Sequence, residues 1–200
     1  MLNYYINKKY LNKSDKLKKE FINNTPFKYL VLKDFFDKKI INNFVKELRK
    51  EEFVKQESDL FSFRQTNDLM LSKNNVIKEF YSFLNSKESK EYLEKITGVR
   101  TYEKIDCSGF IYSNTDYLLP HDDKLEKRKI AYVLNLSTNF NNNDGGELEL
   151  FNKNKVIKKI KPEFNTLTIF KVEINKTFHQ VSEVLVDKER LSIAGWFNDK

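Results

Sequence analysis

From about Lys104 onward the apolar residues recur at every second position: Ile130, Tyr132, Leu134 and Leu136 alternate with Ala131, Val133, Asn135 and Ser137. Successive side chains of an extended chain point to opposite faces, so this run fits a strand with one apolar face and fits no helix. Stretches of similar character lie at 105–112, 147–151, 156–160, 166–172, 179–185 and 190–197. Between them, Asn141-Asn142-Asn143-Asp144-Gly145-Gly146 is a turn signal, because Asn and Gly tolerate positive φ. About seven short strands joined by tight turns predict a sandwich, a jelly roll or a barrel.

The first half has a different period. Asp37 stands at an N-cap position before Ile40, Ile41, Phe44, Val45 and Leu48, which share one face of a 3.6-residue repeat. A second amphipathic stretch carries Val76, Ile77, Phe80, Phe83 and Leu84. A third, around Tyr92, Leu93 and Ile96, stops at Gly98 as a helix C-terminus does. These helices are expected to pack on one outer face of the strands, after a lysine-rich leader over 1–25 and within one domain over 26–200.

With 200 residues, 40% apolar and 14% aromatic, the chain can bury one sizeable core but not two. No run approaches the ~18 apolar residues of a membrane span, and lysines interrupt the N-terminus where a signal peptide needs an apolar block. Cys107 is the only cysteine, which excludes an internal disulfide and a multi-cysteine zinc site. A cytoplasmic, reducing location is therefore expected. The net charge of +7 invites nucleic acid as a partner, but the 36 basic residues are interleaved with 29 acidic ones and only five are arginine. That distribution reads as a solvated surface, and direct nucleic-acid binding is not expected.

The chemistry concentrates in few residues. The two histidines are His121 and His179, and the first belongs to His121-Asp122-Asp123. On an extended segment positions i and i+2 point the same way, so His121 and Asp123 can reach one metal while Asp122 faces elsewhere. His179 from a distant strand would complete two nitrogens and one carboxylate on one face of the ion, as in non-haem Fe(II) oxygenases. Arg190 follows His179 by 11 positions, room for a strand and a turn before an antiparallel return. Its planar guanidinium can grip a carboxylate, and Ser192 on the same strand face can add a hydroxyl. Taken singly, each has an ordinary alternative: a polar turn, a half-buried histidine, a solvated arginine. Together they use both histidines and place an arginine at a workable distance.

The ordered blocks His121-Asp122-Asp123-Lys124-Leu125-Glu126-Lys127-Arg128, Gly145-Gly146-Glu147-Leu148-Glu149-Leu150, Phe178-His179-Gln180-Val181-Ser182-Glu183-Val184, Arg190-Leu191-Ser192-Ile193 and Gly195-Trp196-Phe197 carry a family likeness. So, upstream, do Pro26-Phe27, Asp34-Phe35 and the stretch Asp59 to Leu69. From about Pro26 to Asn198 the chain resembles the ribosomal-protein prolyl hydroxylases among the 2-oxoglutarate oxygenases. The resemblance implies a double-stranded β-helix (jelly roll) that binds Fe(II), 2-oxoglutarate and O2, with ascorbate as reductant. His121, Asp123 and His179 would hold the metal and Arg190 the co-substrate. It further implies hydroxylation of a proline in the small-subunit ribosomal protein near the decoding centre. Tyr112 stands where the family has a tyrosine lining the co-substrate pocket. Asn135 departs from the tyrosine that most relatives place on the far carboxylate, a grip that Ser192 or a water would then supply. Eukaryotic relatives carry a further, non-catalytic β-helix domain after this one, and its absence before Lys200 leaves the partner open. Arg128 and the segment from Asp59 to Leu69 are candidates for substrate positioning or a lid. Other substrates in keeping with the residues are another protein such as elongation factor Tu, a free amino acid or a metabolite. A catalytically silent β-helix that binds a partner is the alternative from another class.

Overall fold

The computed structural model describes residues 1–123, 125 and 127–199. Its strands are β1 (Tyr29–Lys33), β2 (Val54–Ser58), β3 (Phe61–Gln65), β4 (Ser108–Tyr112), β5 (Tyr117–His121), β6 (Arg128–Asn135), β7 (Leu148–Asn152), β8 (Lys155–Ile160), β9 (Thr166–Lys171), β10 (His179–Val181) and β11 (Arg190–Asn198). They form one antiparallel path in the order β1-β9-β6-β11-β4-β3-β5-β10-β7-β8, with β2 paired to β3. The path turns at β3. Its last residues pair with β4 (Arg64↔Ile111, Gln65↔Phe110) and its first with β5 (Phe61↔Leu118, Ser62↔Tyr117). Leu148, Leu150 and Ile160 from one end of the path then pack with Tyr29, Ala131 and Phe170 from the other. The result is a nearly closed barrel, the double-stranded β-helix that the alternating pattern and the family likeness suggest.

Alternation decides what each face does. Ile130, Tyr132 and Leu134 of β6, with Leu191, Ile193 and Phe197 of β11, point outward into the main core. The intervening Ala131 and Val133, with Arg190, Ser192, Ala194 and Trp196, point into the barrel. The outer face is covered by α3 (Ser14–Asn23), α4 (Lys38–Leu48), α5 (Asn75–Leu84) and α6 (Lys87–Thr97). Asp37 caps α4 by accepting from the Lys39 and Ile40 N–H groups, and α6 ends on Gly98 at φ 73°, as the sequence suggests. The lysine-rich segment 1–25 holds two further short helices, α1 (Leu2–Tyr5) and α2 (Lys8–Leu11), ahead of α3. Leu17 and Phe21 of α3 lie in the main core while Lys16, Lys18 and Lys19 stay exposed.

Four strands escape the sequence pattern. β1 reads as a continuous apolar run because it is covered on both sides, and β2 is exposed at every residue and shows no alternation. β3 and β5 are short, and β5 contains Pro120. Two expected strands are also shorter. β4 begins at Ser108 rather than 105, since Asp106 closes on Gly195, where an added Cβ would lie 1.9 Å from the Asp106 carbonyl oxygen. β10 stops at Val181 rather than 185, because the N–H groups of Ser182 and Val184 turn to the carbonyls of Glu147 and Asp116.

Phe21 is fully buried, so Phe21→Ala is expected to cost about 3–5 kcal/mol in urea unfolding. A loss below about 0.5 kcal/mol, the scale of a surface change, would mean that α3 does not share the core.

Candidate metal and anion site

β5 ends and β10 begins at residues that face each other across the ladder, His121 and His179, with ring centroids 4.2 Å apart. In each ring Nδ1 lies 2.9 Å from a carbonyl oxygen two residues earlier, Leu119 O and Thr177 O respectively. An Nδ1–H donated to these carbonyls leaves the Nε2 lone pair free, the arrangement by which proteins aim a histidine at a metal. The Asp123 carboxylate meets both: Oδ1 is 3.6 Å from His121 Nε2 and Oδ2 is 3.5 Å from His179 Nε2. The three ligand atoms lie within 4.8 Å of one another and could hold one metal ion.

The route to this cluster differs from the extended segment that the sequence suggests. Asp123 adopts φ 58°, a left-handed step that turns its carboxylate towards the rings. Asp122 does face elsewhere, accepting the Asn175 N–H at 2.7 Å. Burial pushes the His179 imidazole down to about 4, the His121 ring adds to this, and the Asp123 charge opposes it. Neutral imidazole is the form that binds a metal. In the metal-free protein the unfolded chain takes up this proton first, so the group's contribution to stability is full above about pH 6.5 and is lost as pH falls towards about 4.

Arg190 approaches from the facing half of the barrel. It does not sit on a strand paired with β10, as the 11-residue spacing suggests, because β11 pairs instead with β4 and β6. The side chain is 1% exposed. Nε donates to Gly146 O at 2.7 Å and Nη1 to Ser192 Oγ at 3.1 Å, while Nη2 is buried without a partner. Gly146, at φ 71°, permits this approach, since a Cβ there would lie 3.0 Å from Arg190 Cδ. The Tyr112 ring centroid is 5.0 Å from Arg190 Cζ, and burial pushes the Tyr112 hydroxyl up to about 12, keeping it a donor. Burial likewise lowers the Arg190 pKa, against the opposing effect of Tyr112. A buried guanidinium with an open donor calls for an anion, and a planar carboxylate fits its fork.

Between metal cluster and guanidinium lies a cavity of about 310 Å³, walled by Phe61, Phe110, Leu118 and Phe170 among others. Its volume suits a small dicarboxylate and part of a larger substrate. Arg128 lies on the cavity wall with Cζ 3.3 Å from the Trp196 ring centroid and Nη1 3.8 Å from Asp123 Oδ1. Trp196 Nε1 is buried without a partner. Of the segment from Asp59 to Leu69, Phe61, Phe63 and Gln65 line the cavity and Arg64 pairs with Glu189 at 2.6 Å. Asn135 is fully buried beside Ser192 in the ladder, with neither side-chain polar atom partnered. Sequence reasoning about single residues passed over Gly146, Phe170 and Trp196. Trp196 was accessible by parity, lying six residues beyond Arg190 and so on the same strand face.

Residues 107–198, from the start of β4 to the end of β11, match the 2OG-Fe(II) oxygenase superfamily. The chain thus carries a 2OG-Fe(II) oxygenase domain over these residues, and His121, Asp123, His179 and Arg190 all lie within it. Within that class it is 35% identical over 188 residues to prolyl 3-hydroxylase OGFOD1 of Xenopus laevis, covering 88% of this chain and 36% of that protein. To prolyl 3,4-dihydroxylase OGFOD1 of Ostreococcus tauri it is 31% identical over 202 residues, covering 90% and 39%. The chain therefore spans little more than a third of the length of these relatives. Among solved structures, a prolyl-4-hydroxylase of Pseudomonas putida superposes with a TM-score of 0.74 at 17% identity, over 92% of this chain and 99% of that one. A prolyl hydroxylase of Trichoplax adhaerens, in complex with a hypoxia inducible factor peptide fragment, gives 0.74 at 17% identity over 96% and 94%. At such identity the two share the fold.

Asp123→Ala and His179→Ala are each expected to reduce Mn(II) affinity in calorimetry by more than the ~10–100-fold that loss of an outer hydrogen-bond partner costs. Unchanged Mn(II) binding in both variants would place the ion elsewhere.

Proposed function

We propose that this chain is the catalytic domain of an Fe(II)- and 2-oxoglutarate-dependent prolyl hydroxylase whose substrate is a protein, the small-subunit ribosomal protein near the decoding centre. The observation that carries the reading is the buried, half-partnered Arg190 across a small cavity from a two-histidine, one-carboxylate cluster. The names of the curated relatives support proline as target. In this reading His121, Asp123 and His179 bind Fe(II), Arg190 with Ser192 and Tyr112 binds the far carboxylate of 2-oxoglutarate, and ascorbate keeps the metal reduced in a cytoplasmic, reducing setting.

Bound Fe(II) supplies the oxidising chemistry, in which O2 is consumed, 2-oxoglutarate becomes succinate and carbon dioxide, and one oxygen enters a C–H bond of the substrate. The chain's own part is geometry and exclusion of water. Backbone carbonyls fix both imidazoles, so Nε2 needs no rearrangement to bind. Arg190 fixes the far end of the co-substrate by charge and by the direction of its N–H groups. The aromatic wall keeps water from the reacting face. Arg128 and Trp196 line the cavity and carry only donors, a guanidinium and an indole N–H that is buried without a partner. A prolyl residue offers only an acceptor, its carbonyl, since its nitrogen carries no hydrogen. We assign Arg128 and Trp196 to holding that carbonyl beside the metal.

Succinate release by the Fe(II)-loaded protein with 2-oxoglutarate and ascorbate is expected to rise on adding ribosomes or a proline-bearing ribosomal peptide, with a mass gain of one oxygen on proline. Turnover without peptide oxidation would remove the ribosomal protein as substrate and favour elongation factor Tu, a free amino acid or a metabolite. A folded, iron-loaded protein inert under all these conditions would favour a silent binding module. Arg190→Lys keeps the charge but loses the fork, so the KM for 2-oxoglutarate should rise about tenfold or more. An unchanged KM would remove Arg190 from the site.

A further inference from the structure

The cavity wall carries one charged side chain that the proposed reaction does not use. β4 turns Tyr112, Phe110 and Ser108 to the cavity at every second position, and Asp106, two residues before the strand begins, lines it as well. Exposure rises along this row from buried Tyr112 through half-buried Phe110 and Ser108 to exposed Asp106, so Asp106 stands at the mouth. The end of β11 lies beside it. Asn198 pairs with Arg128 of β6 across the ladder and donates from Nδ2 to Asp106 Oδ2 at 3.1 Å.

Asp106 is held more firmly than a surface carboxylate needs to be. Its N–H donates to Trp196 O at 3.0 Å, and its carbonyl accepts from the Trp196 N–H at 3.3 Å and from the Tyr132 hydroxyl at 3.0 Å. Gly195 lies so close that a Cβ there would be 1.9 Å from the same carbonyl oxygen. The backbone is thus fixed and Oδ2 is bonded to Asn198, while Oδ1 has no hydrogen bond among the described residues. The neighbouring Arg128 forms its ion pair with Asp123, at 3.8 Å, and not with Asp106. A rigidly aimed, negatively charged acceptor at the mouth of a cavity is matched by an ammonium or a guanidinium, since charge-assisted hydrogen bonds are the strong ones.

We propose that Asp106 is a specificity-determining residue that binds a lysine or arginine side chain of the substrate a few positions from the target proline, so that the protein selects prolines in basic sequence. The inference rests on the prolyl hydroxylase reading, in which Arg128 holds the prolyl carbonyl and the chain bearing that proline crosses the mouth beside Asp106. A carboxylate kept only to anchor Asn198 would act on every substrate alike. One that reads charge favours a cation near the proline and repels a carboxylate placed there.

The test uses the Fe(II)-loaded full chain with 2-oxoglutarate and a set of proline-centred peptides that share one neutral sequence. A single lysine, glutamine or glutamate is placed in turn at each neighbouring position on either side of the proline, and kcat/KM is read from oxygen gained on proline. At one or more positions lysine is expected to exceed glutamate about fivefold or more, the scale of a well-placed exposed ion pair, and the ratio should shrink as salt is raised. Asp106→Asn should remove the preference and Asp106→Lys should invert it, with the glutamine peptides as internal reference. Equal rates for lysine and glutamate at every position in the wild type, or a preference for lysine that survives in Asp106→Lys, would overturn the assignment. A variant that fails to fold does not blunt the test, because the wild-type ratio alone can overturn it. Prolyl oxidation without charge preference leaves the hydroxylase reading standing and removes only this inference. No oxidised proline in any peptide overturns that reading and this inference with it.

Discussion

Along β11 the side chains alternate between two different environments, and the rest of the molecule is arranged around that alternation. Leu191, Ile193 and Phe197 enter the core beneath the helices, whereas Arg190, Ser192, Ala194 and Trp196 line the interior. β11 is hydrogen-bonded on both edges, to β4 and β6, so its register is fixed from two sides. A slip by one residue would exchange the two sets, putting a guanidinium in the apolar core and leucine where an anion belongs. The helices make that slip costly, because Phe44, Ile77 and Phe80 of α4 and α5 belong to the same core as the outer set. Stability and chemistry are thus two faces of one strand.

The barrel separates its charges along the cavity. One end has a carboxylate between two imidazoles, and the other has a buried guanidinium without a carboxylate partner among the described residues. Both ends are incomplete alone: the carboxylate and imidazoles suit a cation, and Arg190 suits an anion. A ligand that binds the cation and also carries a carboxylate satisfies both, and 2-oxoglutarate is such a molecule. Binding only to the folded state also stabilises it by mass action. The Arg128 wall of the cavity differs again, with Arg128 stacked on Trp196. The guanidinium there is held by an aromatic face and by Asp123, which limits its freedom.

Much of this was legible in the sequence wherever burial imposed a period. α4, α5 and α6 followed from apolar stripes, with Asp37 and Gly98 marking the first start and the last stop. β6 and β11 followed from strict alternation. β1 and β2 did not, because a strand covered on both faces, or on neither, has no period to read, and β3 and β5 did not because they are short, β5 with Pro120 inside it. His121, Asp123, His179 and Arg190 stood out by their rarity and chemistry, but the way they meet did not. The left-handed step at Asp123 and the placement of Arg190 on the facing half of the barrel are tertiary facts, fixed by a turn and by strand order. Spacing along the chain carries neither. The partnerless condition of Asn135 was likewise invisible, since hydrogen-bond satisfaction depends on neighbours from β9 and β11.

In the function proposed above, one cavity holds a metal at His121, Asp123 and His179 and a carboxylate at Arg190 at the same time. Anomalous diffraction from crystals grown with Mn(II) and 2-oxoglutarate without oxygen tests it directly. The expected result is one Mn(II) ion bonded to both Nε2 atoms and an Asp123 oxygen, chelated by 2-oxoglutarate, with the far carboxylate against Arg190 Nη2. An ion bound away from these three residues, or a co-substrate whose far carboxylate leaves Arg190 unpaired, would contradict it.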